Sequence, residues 1–234
     1  MRALWLIGLI ALLLLVPPYL LAPLQVWRRS RTPRVRARLL SPHDAPDEVR
    51  ASVQALAPRA RALGFDLRSA VEVNDGQAIV LHCASAVPEH LLEYRTATHH
   101  WQVFISRFTT GDEVVSTNAP APPVFSLVPT QHVCALPPDA DLETLLRAHR
   151  AHVNLTVRAG AAPAATPAGI AFVEEFENRT METQRRLGLY RYDEDGYRPT
   201  LRGAFLVTLR MLPPLRWLRA RENARTVERL LSES

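Results

Sequence analysis

The sequence predicts a mixed α+β protein with an N-terminal transmembrane helix, an antiparallel hairpin-rich sheet with flanking helices, and C-terminal amphipathic helices. Three observations carry that class. An uncharged apolar run opens the chain, ALWLIGLIALLLLVPPYLLAPL over 3–24. Two pairs of strand-like runs follow, closed by the turn triplets Asn74-Asp75-Gly76 and Thr110-Gly111-Asp112. Near the end, GAFLVTLRMLPPLRWLR over 203–219 interleaves apolar residues with arginine.

The opening run is long enough to span a bilayer. At about 1.5 Å per helical residue it covers roughly 33 Å, against a hydrocarbon core of about 30 Å. A cleaved signal peptide has a shorter apolar core and a small-x-small cleavage site, which YLLAPLQ lacks. Pro17 and Pro18 should bend the helix, and lipid-buried helices tolerate this. Arg28, Arg29, Arg31, Arg34, Arg36 and Arg38 follow closely. The positive-inside rule holds such a flank in the cytoplasm. The expected location is a bacterial inner membrane, with the N-terminus outside and the main domain cytoplasmic. Trp5, Tyr19 and Trp27 are candidate interfacial anchors. The division read from the chain is anchor 1–27, basic juxtamembrane linker 28–40, α+β body 41–157, Ala/Pro-rich linker 158–169, and a helix, hairpin and basic amphipathic helices over 170–234.

In the body, Val49, Val53, Leu56, Ala60 and Leu63 recur at helical spacing. Asp44 or Asp47 is a candidate cap, Pro58 interrupts the pattern, and Gly64 stands where the helix should stop. The first hairpin joins FDLRSAVEV to QAIVLHCAS. VPEHLLEYR reads as a helical turn. The second hairpin starts at HHWQVFISR, and a short strand is expected near His132 to Leu136, for about five antiparallel strands in all. A helix is expected over 141–155, with Leu142, Leu145, Leu146, His149 and Val153 on one face. RAGAAPAATPAG over 158–169 reads as a flexible linker. A further helix starts at Ile170, and LYRYDEDGYRPT turns at Asp195-Gly196.

Charge is segregated. The chain is formally +5, with 28 basic residues, all arginine. Residues 41–195 carry 13 Arg against 20 acids, while 196–234 carry eight Arg against three Glu. An acidic body between basic ends makes nucleic acid an unlikely partner. Cys83 and Cys134 follow no CxxC spacing, and a cytoplasmic domain would keep them as reduced thiols.

A second span over 203–219 would put Arg210 in mid-membrane, at about 2.5–3.5 kcal/mol, and the arginine-rich tail outside. On a helix from Thr200 to Leu212, Leu201, Ala204, Phe205, Met211 and Leu212 cover one side and Arg202 and Arg210 the other. Pro213-Pro214 must end it, and a last helix runs over 214–231. Two outcomes fit: the apolar face lies in the headgroup region, or it packs on the body. The expected membrane-interface residues are Trp27, Arg28, Arg29, Arg31, Arg34, Phe205, Arg210, Arg216, Trp217 and Arg219, and the expected partners are the bilayer and anionic lipid headgroups. The sequence names no protein partner.

No catalytic, cofactor or metal motif stands out. His149 and His152, three apart in AHRAH, lack a patterned third and fourth ligand. A buried His149 and an exposed His152 explain them more simply. Adjacent strand residues face opposite sides, so neither His99-His100 nor His82-Cys83 reads as a paired site. Glu174, Glu175 and Glu177 read as a solvated helix face.

LGLYRYDEDGYRPTLRGAFL resembles the wing end of bacterial winged-helix regulators over about twenty residues, without the two preceding helices that a helix-turn-helix requires. More broadly, the order of anchor, hairpin body, LLRAHRAHV, linker and GYRPTLRGAFLVTLRMLPPLRWLR is similar to a group of uncharacterised bacterial single-pass membrane-anchored proteins. That resemblance implies location and no chemistry. The expected function is a membrane-anchored cytoplasmic binding or scaffolding module. The alternatives are a membrane-tethered winged-helix-like DNA binder and an enzyme with its site in the body.

Overall fold

The structure, a computed structural model, describes residues 5, 19–41, 45–120, 128–167, 169–194 and 196–232. It is a mixed α+β fold that divides into two compact units. A sheet unit comprises Val35–Asn178 and Ala220–Ser234, and a basic unit comprises Met1–Arg34 and Arg179–Arg219.

The sheet unit holds seven strands in sequential order: β1 (Ala37–Leu39), β2 (Phe65–Val73), β3 (Ala78–Ser85), β4 (Glu89–Arg95), β5 (His100–Arg107), β6 (Glu113–Thr117) and β7 (Gln131–Ala135). All neighbours are antiparallel except β6 and β7, which are parallel. The first hairpin turns where expected, with Asn74, Asp75 and Gly76 all at positive φ. That conformation is tolerated by Asn, Asp and Gly, which is why the triplet marks a turn.

Helix α1 (Asp47–Ala62) and helix α2 (Leu142–Arg158) belong to one face of the sheet. Phe65, Leu81, Cys83, Leu91, Phe104 and Cys134 form a core with Leu56, Ala60, Leu145 and Leu146, joined by Leu230. The opposite face joins Val80, Leu92, Val103, Ile105 and Val115 to Phe172 and Val173 of α3 (Ile170–Arg186). Odd residues of β4 thus face one core and even residues the other.

Burial on both faces explains the misread segment. VPEHLLEYR, expected as a helical turn, holds β4, six of whose seven residues are buried. A strand covered on both sides shows no alternation of polar and apolar residues. β1 lies inside the basic 28–40 stretch, expected as a linker, where Arg36 and Arg38 mask it. The helix start also differs: Pro46 precedes α1 with no side-chain cap, Asp47 is already in the first turn, and Asp44 lies outside the described residues. Pro58 sits inside α1, which continues through it. Asp141 caps α2 by accepting from the Thr144 amide at 2.6 Å.

Both sheet edges are closed by an asparagine acting as a strand residue. Asn178 accepts from the Val35 amide and donates to its carbonyl, both at 3.0 Å. Asn223 does the same to Ala135, at 3.0 and 2.7 Å. Glu174 adds a bond from the Ala37 amide at 3.0 Å. An open edge invites pairing with another chain, and these side chains occupy it. Glu174 thereby departs from the expected solvated face, as does Glu177, which accepts from the buried Tyr94 hydroxyl. The 158–169 passage, expected as a flexible linker, bonds to the turn after β5: Thr109 donates to Ala162 at 2.9 Å, and Ala164 donates to Arg107 at 2.8 Å.

In the basic unit, β8 (Tyr190–Asp193) and β9 (Gly196–Pro199) form a hairpin, followed by α4 (Leu201–Met211) and the first residues of α5 (Leu215–Ser232). The second turn residue, Asp195, lies outside the described residues. Residues 31–34 lie along the hairpin, where Thr32 and Tyr197 exchange backbone bonds of 2.9 and 2.8 Å. Thr200 caps α4 by accepting from the Gly203 amide at 3.1 Å. Gly203 packs directly on the Leu189 carbonyl, where a Cβ would collide with the oxygen. That approach rotates α4 away from the expected face: Gly203, Ala204 and Thr208 are buried, and Leu201 and Met211 are exposed.

Residues 19–29 are helical. Among the described residues, no helix is long and apolar enough to cross a membrane, so the expected N-terminal transmembrane helix finds no support there. Most of the 3–24 run lies outside the described residues.

Candidate functional site

All ten expected interface residues fall in the basic unit. Trp27, Arg28, Arg29, Arg31, Arg34, Arg216 and Trp217 are exposed, while Phe205, Arg210 and Arg219 are half-buried. Trp217 is 67% exposed and its neighbour Leu218 60%, too open for either to serve a core. Burial and the nearby Arg219 lower the Arg210 pKa from its usual value.

Among the described residues, this unit buries few apolar side chains: Leu189, Tyr197 and Ala204, with Pro23 and Pro199. Its exposed ones include Leu20, Leu21, Leu24, Leu201, Met211 and Leu215. It also carries fourteen Arg against four acids, a formal charge of +10, leaving the sheet unit at −5. Apolar surface interleaved with arginine is the composition of a headgroup-level interface.

Three places in the sheet unit bring histidines together with other polar groups. Under α2, His149 is wholly buried, with Nε2 3.0 Å from Ser106 Oγ and Nδ1 3.2 Å from Ser116 Oγ. Burial pushes its pKa down to about 3, so the ring is neutral. Residue 152 departs from expectation: it is half-buried, since α2 turns it toward His132, whose ring lies 6.2 Å away. Among the described residues no group of three or more His, Cys, Asp or Glu is placed to hold a metal.

Under α3, His82 Nε2 lies 2.9 Å from His90 Nδ1, and His90 Nε2 lies 2.5 Å from Thr166 Oγ1. Phe172 stacks on His90 at 3.7 Å between ring centres. Burial lowers the two rings to about 4 and 3 respectively. Beside them, buried Arg107 bonds Glu113 at 2.9 Å and Glu175 at 2.8 Å. Cys83 and Cys134 are free and buried, and burial raises each thiol to about 12, leaving neither reactive. These groups are enclosed and specify packing.

The third place opens to solvent. A cleft of about 490 Å³ lies between the start of α1 and the loop from β4 to β5, lined by Glu48, Ser52, Arg95, Thr98, His99 and His100 among others. His99 and His100 therefore share a cleft, contrary to the expectation from strand alternation. β5 begins only at His100, so alternation does not govern His99. Sequence reading missed this cleft because Glu48 comes from α1 while Arg95 and His100 come from paired strands.

Comparison with known proteins leaves the fold class as the available description: no family model matches the chain, and no curated protein or solved structure is similar to it.

Proposed function

We propose that the chain is a single-pass protein of a bacterial inner membrane, with the sheet unit in the cytoplasm as a binding or scaffolding module. The basic unit is its foothold on the anionic cytoplasmic leaflet. One observation carries this reading: outward-facing apolar side chains and excess arginine occur in the same unit, where few apolar side chains are buried among the described residues. Each arginine near an anionic surface contributes about 1 kcal/mol, while a unit at −5 is repelled from it. The run at 3–24 supplies the anchor, and Arg28, Arg29, Arg31 and Arg34 its cytoplasmic flank.

Two measurements test this. A reporter fused after residue 234 should behave as cytoplasmic, and periplasmic activity would overturn the topology. Protein lacking residues 1–27 should bind anionic vesicles with an affinity that falls as salt rises. Replacing Arg210, Arg216 and Arg219 with Glu should abolish that binding. Indifference of the shortened protein to anionic vesicles at low salt would overturn the foothold.

A further inference from the structure

We infer that the cleft beside His100 is a binding site for a small zwitterion, an amino acid or short peptide, whose carboxylate meets His100 and Arg95 and whose ammonium group meets Glu48. Hydrogen bonds anchored in the backbone lead to this assignment. The Gln102 backbone amide donates to Asn118 Oδ1 at 2.7 Å, so the other amide atom of Asn118 is the nitrogen. That nitrogen donates to the Ala140 carbonyl at 3.1 Å and to Gln102 Oε1 at 2.8 Å. Gln102 therefore turns its own nitrogen the other way. Its two hydrogens point to Glu93 Oε2 at 3.3 Å and to His100 Nε2 at 2.8 Å.

An amide nitrogen only donates, so His100 Nε2 must accept. In its uncharged form the ring then carries its proton on Nδ1. Glu93 Oε2 lies 3.6 Å from His100 Nε2, beyond a good hydrogen bond, and does not compete for it. The ring is half-exposed at the cleft, with its tautomer fixed by Gln102 and Asn118, both buried. A network of this kind holds a donor in position before a ligand arrives.

The charges select the ligand. Buried Glu93 takes Arg95 Nε and Nη2 on one oxygen, at 2.9 and 2.8 Å, which leaves Arg95 Nη1 as the donor not engaged by that carboxylate. Glu48 adds a second carboxylate on the α1 side. Arg95 is already paired with buried Glu93, and Glu48 adds a carboxylate at the cleft, which disfavours a multiply charged phosphate. A ligand with one carboxylate and one ammonium group matches donors on the sheet side and an acceptor on the helix side. The volume lies within the range of small-molecule sites, about 300–1,000 Å³.

This inference rests on the sheet unit being a binding module, and it fails separately from the membrane reading, which the vesicle and reporter assays address. The test uses the full chain in detergent, labelled with 15N in histidine. Without ligand, His100 should show a protonated Nδ1 and an unprotonated Nε2. Titration with the common L-amino acids and dialanine should then shift His100, with saturable binding to at least one of them. Glu48→Gln should weaken that binding about tenfold, the weight of one charge-assisted contact. Asn118→Ala should release the tautomer and weaken binding as well, with thermal melting confirming the fold of each variant. The opposite tautomer in the wild-type protein would overturn the site. So would the absence of any shift across the panel, or equal binding to His100→Ala.

Discussion

The two units solve opposite problems with similar residues. The sheet unit is acidic and places its leucines, valines and phenylalanines in two cores, one on each face of a seven-stranded sheet. The basic unit is about as apolar by composition over its two segments, yet it turns Trp27, Leu201, Met211, Leu215, Trp217 and Leu218 outward. Small assemblies bury too small a fraction of their surface to stand alone. The contrast teaches that apolar content does not say what covers it: one unit is covered by its own layers, and the other is left to be covered by a bilayer, as proposed above.

The comparison breaks most easily at the sheet unit's core. Phe104→Ala removes a wholly buried ring packed on Phe65 at 5.4 Å between centres. It should cost about 3–5 kcal/mol, read by chemical denaturation. A loss below about 1 kcal/mol would mean that the core is not close-packed.

Acid should act on the same unit. His149 is held at about 3 in the folded protein against about 6.5 unfolded. The unfolded chain binds the proton first, so stability is full above pH 6.5 and falls as pH drops toward 3. His82 and His90 act in the same direction. Melting temperature against pH should therefore decline below 6.5, and less steeply in His149→Gln. A flat wild-type profile from 6.5 to 4 would contradict the buried neutral rings.

At Gly203 the effect should be local. Gly203→Ala sets a Cβ against the Leu189 carbonyl and disturbs the start of α4. A cost of about 1–3 kcal/mol is expected, as for other overpacked sites. Hydrogen exchange should rise over 189–211 while β3 to β5 keep their protection. Equal loosening of both regions would show that the two units unfold as one.

The smallest effect on stability sharpens the comparison most. Trp217→Ser should change stability by less than about 0.5 kcal/mol, because the ring is exposed. It should nonetheless reduce vesicle binding several-fold. Unchanged binding would place Trp217 outside the interface.

Much of the architecture was legible locally. The Asn74-Asp75-Gly76 turn, the Asp141 cap, the break at Pro213-Pro214 and the split of charge each depend on residues adjacent in sequence. The exposure of most of the arginine- and tryptophan-rich positions was legible too, since Trp27, Arg28, Arg29, Arg31, Arg34, Arg216 and Trp217 are exposed. The cleft was not. His99-His100 gave only a doublet, and nothing near it in sequence announced Gln102 bridging Glu93 and His100 across paired strands.

By itself, then, the sequence determined the α+β class, most helix boundaries, both hairpins and the separation of a basic portion from an acidic one. Tertiary structure alone decided that β4 is a strand, that β7 runs parallel to β6, and that Asn178 and Asn223 close the edges. It also decided which side of α4 is buried, since Gly203 must approach Leu189, and which tautomer His100 adopts. The physical reason is range. Caps, turns and charge runs are settled within a few residues, whereas burial on both faces, edge closure and a fixed imidazole each require partners from sixteen to 143 residues away.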